Sequence, residues 1–332
     1  MIPSEQELRD AACYFSTDKV GGAAMTGFKQ EARWRQHLWA KGQGVREFGT
    51  HPGPKPATGE ARRQIVNGTK LLDDDVKAGT NFLTDAIDDL VDARIKQPQA
   101  YETLDAQRLR RDLLSSMPMA FNLFGEAAAD ENEVSRSRLA ELFGVPAGTP
   151  SEIVFEWSPG RRDARYTRDR TAFDVALLIG GAGPRTVVGI ETKYHEHSVK
   201  EPLPKAKSRA AHEQQTRFLA DKANASGAFV DGWEDQVLDS DLRQIWRDHL
   251  LALSMRGVPE EWAPTTKYVL LYPSGNVSFA SAAERYSALL TTDDDSFAAF
   301  TIESILDAAF AHGDSTKDAF DERYLRWMQS PS

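Results

Sequence analysis

Three residues near the middle of the chain are of types and spacing that could do chemistry: Asp174, Glu191 and Lys193. Asp174 stands in TAFDVALLI (171–179) and the other two in TVVGIETKY (186–194), both of which read as β-strands. Strand residues two apart share a face, so Glu191 and Lys193 project together. The short Gly-rich connection from Gly180 to Pro184 implies an antiparallel hairpin. With Ile179 opposite Thr186, counting back along both strands sets Asp174 opposite Glu191. A slip of one residue would instead face Asp174 with Ile190 or Thr192. Two like charges directly opposite destabilise a sheet, and a divalent cation between them removes the objection. Two carboxylates, a strand carbonyl and waters make an oxygen site suited to Mg²⁺ or Mn²⁺. Beside it, the Lys193 ammonium could hold an attacking water or neutralise charge on a phosphoryl group. The chemistry would be metal-assisted hydrolysis without a nucleophilic side chain, and the sequence offers no evident Ser-His-Asp or Cys-His arrangement. The bare pattern also reads as a solvated strand edge.

Elements on either side must position these residues. Ile153–Trp157 reads as a strand, and Lys267–Tyr272 as a short buried one bounded by Pro273-Ser-Gly275. Between the hairpin and that last strand, Asp239–Met255 is strongly helical. The earlier part of the chain reads as helices over Lys29–Lys41, Asn81–Ile95, Ala106–Ser116 and Glu131–Phe143. Gly49–Gly59, dense in Gly and Pro, reads as a loop or linker. The part after Tyr272 reads as mostly helical. The expected order is helices, three strands, a helix, a strand, then helices. We divide it into a mostly helical region over 1–115 and an α/β domain over 116–332.

The 332 residues carry 40 Lys plus Arg against 50 Asp plus Glu, a net charge of −10. This excludes a uniformly basic nucleic-acid coat. The charge is polarised: Gly21–Lys70 carries +6 and Leu71–Ser135 carries −8. That asymmetry suggests a basic contact surface, or pairing of the two segments inside the fold. One cysteine, Cys13, excludes an internal disulfide framework and a cysteine zinc cage. No apolar run approaches a membrane span and no signal-peptide core opens the chain, so the expectation is a cytoplasmic protein with no membrane partner.

The hairpin resembles the active-site core of the PD-(D/E)XK, or restriction-endonuclease-like, nuclease superfamily. The resemblance runs from Met119 to Tyr272 through FNLFGE (121–126), SPGRRDARYTRDRTAFD (158–174), GIETKYHE (189–196) and QIWRDHLLAL (244–253). It implies an α/β core of a helix, a three-stranded meander, a helix and a strand, forming a mixed sheet flanked by helices, with a helical N-terminal extension. It also implies a metal-dependent nuclease acting on DNA, in defence against foreign DNA. Asp174 and Glu191 match the metal-binding acids and Lys193 the catalytic lysine. Position 173 is Phe where the name-giving motif has proline. The superfamily often adds an acid from the helix before the sheet, for which Glu126 is the candidate, with Glu133 and Glu141 as substitutes. It also often places a polar or basic residue of the following helix near the scissile phosphate, which points to Gln244 and Arg247. Dimerisation is common among such enzymes, so a homodimer is compatible with the resemblance, although the sequence carries no interface signature.

Other candidates are read from residue type alone. Gln244 shares a helix face with Arg247 and with Asp248. Trp246, Leu250 and Leu253 read as packing residues, and His249 reads equally as structural or functional. Arg161, Arg162, Arg165, Arg168 and Arg170 lead into the Asp174 strand and are of the type that grips a phosphate backbone; a solvated loop is the alternative. Arg33, Trp34, Arg35, Arg62 and Arg63 are candidates for extra substrate contact. His195 and His197 lack a convincing third ligand and read as a polar turn. Two further readings stay open: a catalytically silent nucleic-acid-binding or partner-binding protein on the same fold, and an RNA-cleaving nuclease.

Overall fold

The computed structural model describes residues 3–19, 22–54, 56, 60–98, 104–129, 133–145, 150–180, 183–202, 204–311 and 314–328. Seven strands are present among them. β1 (Thr50–Pro52) and β2 (Gln64–Val66) form a small antiparallel hairpin. Thr50–Pro52 therefore departs from the loop expected there, and pairs because Ile65 and its neighbours supply an extended partner. The main sheet holds β3 (Pro150–Trp157), β4 (Phe173–Ile179), β5 (Thr186–Thr192), β6 (Lys267–Tyr272) and β7 (Phe297–Thr301), in that spatial order. β3, β4 and β5 pair antiparallel, while β6 and β7 add in parallel, giving a five-stranded mixed sheet flanked by helices. Ile179 pairs with Thr186 and Val175 with Ile190, the register read from the sequence.

The central strands are apolar on both sides because both faces are covered. Val175, Leu177, Val188, Ile190, Val269 and Leu271 point to one face. There they pack on helices Asp85–Lys96, Ser116–Ala129 and Ile302–Ala309, with the Phe121 and Phe155 rings stacked 3.9 Å apart. This cluster joins residues on both sides of position 115, from Ala32 and Ile87 to the sheet. Ala176, Leu178, Val187, Tyr268 and Leu270 point the other way, onto helices Ala206–Ser226, Arg243–Arg256 and Val277–Ser287. Burying each Val, Leu or Ile contributes roughly 1.5–3 kcal/mol, so the sheet is held rigidly from both sides.

Several elements differ from expectation for identifiable reasons. The helix expected over Ala106–Ser116 stops at Arg111, and a second begins at Ser116. The Asp112–Ser115 turn separates them, and Pro118 suits the first turn of a helix, where its missing N–H costs nothing. Ala206–Ser226 is helical although nearly every side is polar; only Leu219 and Ala223 are buried. β7 is a further strand within the part read as helical. The helix expected from Glu131 spans Val134–Leu142, and Glu131 itself lies outside the described residues.

Candidate active site

Glu191 follows the alternation of Val187 and so faces the layer containing helix Arg243–Arg256, and Asp174 interacts electrostatically with Glu191, Lys193 and Asp248 of that layer. The Asp174 carboxylate is fixed across the strands: Thr192 donates to its Oδ2 from the backbone N at 2.8 Å and from Oγ1 at 2.7 Å. Lys193 Nζ donates to Glu191 Oε1 at 2.6 Å, and Gln244 Nε2 reaches the same oxygen at 3.2 Å. Glu191 and Lys193 are both 7% exposed. The Lys193 ammonium also lies 5.7 Å over the Phe279 ring.

The backbone here is clamped from two sides. Beyond the end of β5, Lys193 N donates to Leu271 O of β6 at 2.8 Å. Tyr194, on the opposite face, accepts from Gln36 Nε2 at 3.1 Å, and Gln36 in turn accepts from the buried Arg323. Asn276 donates to the Tyr194 and Glu196 carbonyls. Residues from both ends of the chain thus hold the segment that carries Lys193.

Burial raises the Glu191 carboxyl well above the ordinary glutamate value, and the neighbouring Asp174 charge raises it further. Burial raises Asp174 too, with Lys193 and the Thr192 hydrogen bonds opposing. For Lys193, burial works to lower the value, but the charges of Glu191, Asp174, Glu196 and Asp248 outweigh it and hold the ammonium above the ordinary lysine value. The lysine is therefore a fixed cation and donor rather than a base.

Asp248 shares a helix face with Gln244 by its spacing, yet nothing else in the sequence marks it as a site residue. It is 5% exposed, its Oδ2 is buried without a hydrogen-bond partner, and burial pushes its carboxyl up to about 7. It interacts electrostatically with Lys193 and Asp174 and lies one helical turn beyond Gln244. The four-residue spacing from Gln244 is the one signal that could have found it.

The carboxylate pair fits a divalent cation of modest protein coordination. Asp174 Oδ1 and Glu191 Oε2 make no hydrogen bond to the described protein, and the like charges oppose each other until a cation neutralises them. Among the described residues no three His, Cys, Asp or Glu side chains converge on one point. Such a site would leave most positions to water, as Mg²⁺ prefers.

Other candidates are placed elsewhere or used internally. Glu126 sits on helix Ser116–Ala129, against the opposite face of the sheet, where its Oε1 accepts from Thr316 Oγ1 at 2.7 Å. Glu133 pairs with Arg136, and Glu141 is exposed. None of these acids joins the pair. In the arginine loop, Arg161 donates to the Arg170 and Glu156 carbonyls, Arg165 pairs with Asp163 and Glu261, and Arg168 contacts Gln215 and Phe218. Arg162 and Arg170 are exposed at its surface. Arg247 is half-buried and faces Glu201 at 3.2 Å. Arg33 is buried against Asp18, and Arg35 pairs with Glu31. His249 is a satisfied core histidine, bonded to Tyr286 and Ser296. Trp246, Leu250 and Leu253 are buried in the face beneath the helix.

A family model described as the PD-(D/E)XK nuclease superfamily matches residues 18–326, nearly the whole chain. No curated protein and no solved structure matches. Among the described residues no helix is long and apolar enough to cross a membrane.

Proposed function

The chain belongs to the PD-(D/E)XK nuclease superfamily, and from that premise we propose that it is a metal-dependent nuclease hydrolysing phosphodiester bonds of DNA, in defence against foreign DNA. The observation that carries the reading is the buried Lys193 ammonium, 2.6 Å from Glu191 and interacting electrostatically with Asp174 on the adjacent strand. The defence role rests on the family resemblance alone.

Asp174 and Glu191 would hold Mg²⁺ or Mn²⁺ through their open oxygens. When bound, the ion polarises a phosphate oxygen and lowers the pKa of water. The chain's own residues do the rest. Lys193 offers a permanent positive charge to a phosphate oxygen or to the entering water, both of which gain negative character in the transition state. Gln244, with Lys193, holds the Glu191 carboxylate in place. Thr192 fixes the Asp174 carboxylate so that it is oriented before substrate arrives. Attack by water on phosphorus breaks one P–O ester bond and leaves a phosphate monoester and a hydroxyl.

The test is incubation of the full chain with plasmid, linear and single-stranded DNA and with RNA, under Mg²⁺, Mn²⁺ or EDTA. Metal-dependent cutting of DNA that disappears in Lys193→Ala and in Asp174→Ala supports the reading. Cutting that survives Lys193→Ala overturns the site assignment. Binding without cleavage under every metal favours the silent binding protein, and cleavage confined to RNA favours the RNA nuclease.

A further inference from the structure

Two residues past Lys193 the chain opens into a cavity of about 700 Å³. Its walls come from the N-terminal region, the β1–β2 hairpin and the segment before helix Ser116–Ala129, with His195 supplying the wall nearest the catalytic strand. The volume lies within the range of small-ligand sites, roughly 300–1,000 Å³.

The lining is aromatic and cationic. Tyr14, Phe15 and His51 bring three rings, with the Phe15 and His51 centroids 5.0 Å apart. The imidazoles are anchored by their own surroundings, His195 Nδ1 lying 3.8 Å from Glu196 Oε2 and His51 Nδ1 3.1 Å from the Pro52 carbonyl oxygen. Arg108 is exposed and uses only its Nε, on Ser115 Oγ at 2.7 Å, so its terminal nitrogens remain available among the described residues. The acid of the wall is already compensated: Asp112 lies 3.6 Å from Lys70 Nζ. The outer rim is the β1–β2 hairpin, where Gly53 N donates to Arg63 O and the Arg62 and Arg63 side chains are exposed. Arg33 of the lining is paired with Asp18, so the uncompensated charge in the wall is that of Arg108.

Rings answer the face of a nucleobase, and a free guanidinium answers the phosphate. A base stacked inside a duplex cannot enter a walled cavity; an unpaired one can. Resting on the nuclease reading above, we propose that this cavity receives one unpaired nucleotide of the substrate strand, so that the enzyme prefers single-stranded or unpaired DNA. His51 and the rings would hold the base, and Arg108 the adjoining phosphate.

The test measures binding of a fluorescently labelled short single-stranded oligodeoxynucleotide, and of the blunt duplex of the same sequence, to the full chain in EDTA. The variants are His51→Ala and Arg108→Ala, each checked by thermal melting. His51→Ala should weaken single-strand binding by about 5- to 150-fold, the range for one base–aromatic contact, and leave duplex binding unchanged. Arg108→Ala should weaken single-strand binding and flatten its salt dependence. Single-strand binding that is unchanged in both folded variants overturns the proposal, as does an equal loss on the duplex. Cleavage with Mg²⁺ separates the two readings. A chain that cuts DNA through Lys193 but binds single strands independently of His51 refutes the cavity alone. One that binds single strands through His51 but cuts nothing refutes the nuclease and leaves the cavity standing.

Discussion

Phe173 lies so closely against Gly189 that a Cβ on residue 189 would fall 2.5 Å from the Cδ1 and Cζ atoms of the ring. Phe173 immediately precedes Asp174, and Gly189 lies two residues before Glu191, so this contact fixes the strands at the place where they present the two acids. It gives the phenylalanine that stands in the motif's proline position a definite role: its ring packs across β5 toward Tyr268 and keeps Asp174 from drifting. Gly189→Ala should force the ring aside and destabilise the protein by about 1–3 kcal/mol, as overpacking does. DNA cleavage should fall with it. Adding Phe173→Leu should recover part of the stability, so that the double variant loses less than the sum of the singles. Thermal melts of the four proteins provide the check, and strict additivity would refute the coupling.

Metal binding should depend on pH in a defined direction. Burial and their mutual repulsion raise Glu191, and burial raises Asp174, so both carboxyls hold protons at higher pH than ordinary acids. A cation must displace those protons, and its apparent affinity therefore rises with pH until both groups are ionised. Mg²⁺ should raise the melting temperature more at pH 8 than at pH 6, and Asp174→Asn should abolish most of that increment. Equal increments at the two pH values would contradict the assigned ligands.

Glu126 provides a contrast, because the family pattern named it and the structure gives it other work. Its carboxylate accepts from Thr316 and ties helix Ser116–Ala129 to helix Asp314–Tyr324. Glu126→Ala should cost about 1 kcal/mol of stability, the contribution of one hydrogen bond, and leave the cleavage rate of the folded enzyme unchanged. A loss of rate comparable to that of Asp174→Ala, without a change in melting, would restore Glu126 as a site acid.

That contrast shows which features were legible in the sequence. β4, β5 and β6 are short apolar runs between Gly and Pro breaks, and the strand period alone places Glu191 beside Lys193. Helix Arg243–Arg256 has an apolar stripe that the sequence shows, whereas Gln244 on it was singled out by the family resemblance. Helix Ala206–Ser226 has no such stripe, since only Leu219 and Ala223 enter the core, and β7 is a five-residue strand with every position half-buried. The contacts of the arginine loop were hidden for a different reason. Arg165 and Arg168 meet Glu261 and Gln215, partners distant in sequence that no local pattern reveals. Asp248 was hidden likewise: its burial depends on how helix Arg243–Arg256 is rotated over the sheet.

Asp248 leads to the last prediction. Its carboxyl is buried with Oδ2 unpartnered, and burial lifts it from the ordinary aspartate value to about 7, against the opposing pull of Arg247 and Lys193. In the unfolded chain the same group ionises near 4. Between those values the folded protein holds a proton that the unfolded chain has released, so stability falls as pH rises from about 4 to about 7 and then levels off. An amide in place of this carboxyl would be neutral throughout and incur no such loss. In EDTA, Asp248→Asn should therefore match the native protein near pH 4.5 and exceed it at pH 7.5, by an amount on the order of 2–4 kcal/mol. Thermal melts of both proteins across this range provide the measurement. A stability difference that does not change with pH would mean that Asp248 is ionised at both ends of the range, its charge balanced by Lys193 and Arg247. Its role would then be that of a permanent counter-charge holding the Lys193 ammonium in the site.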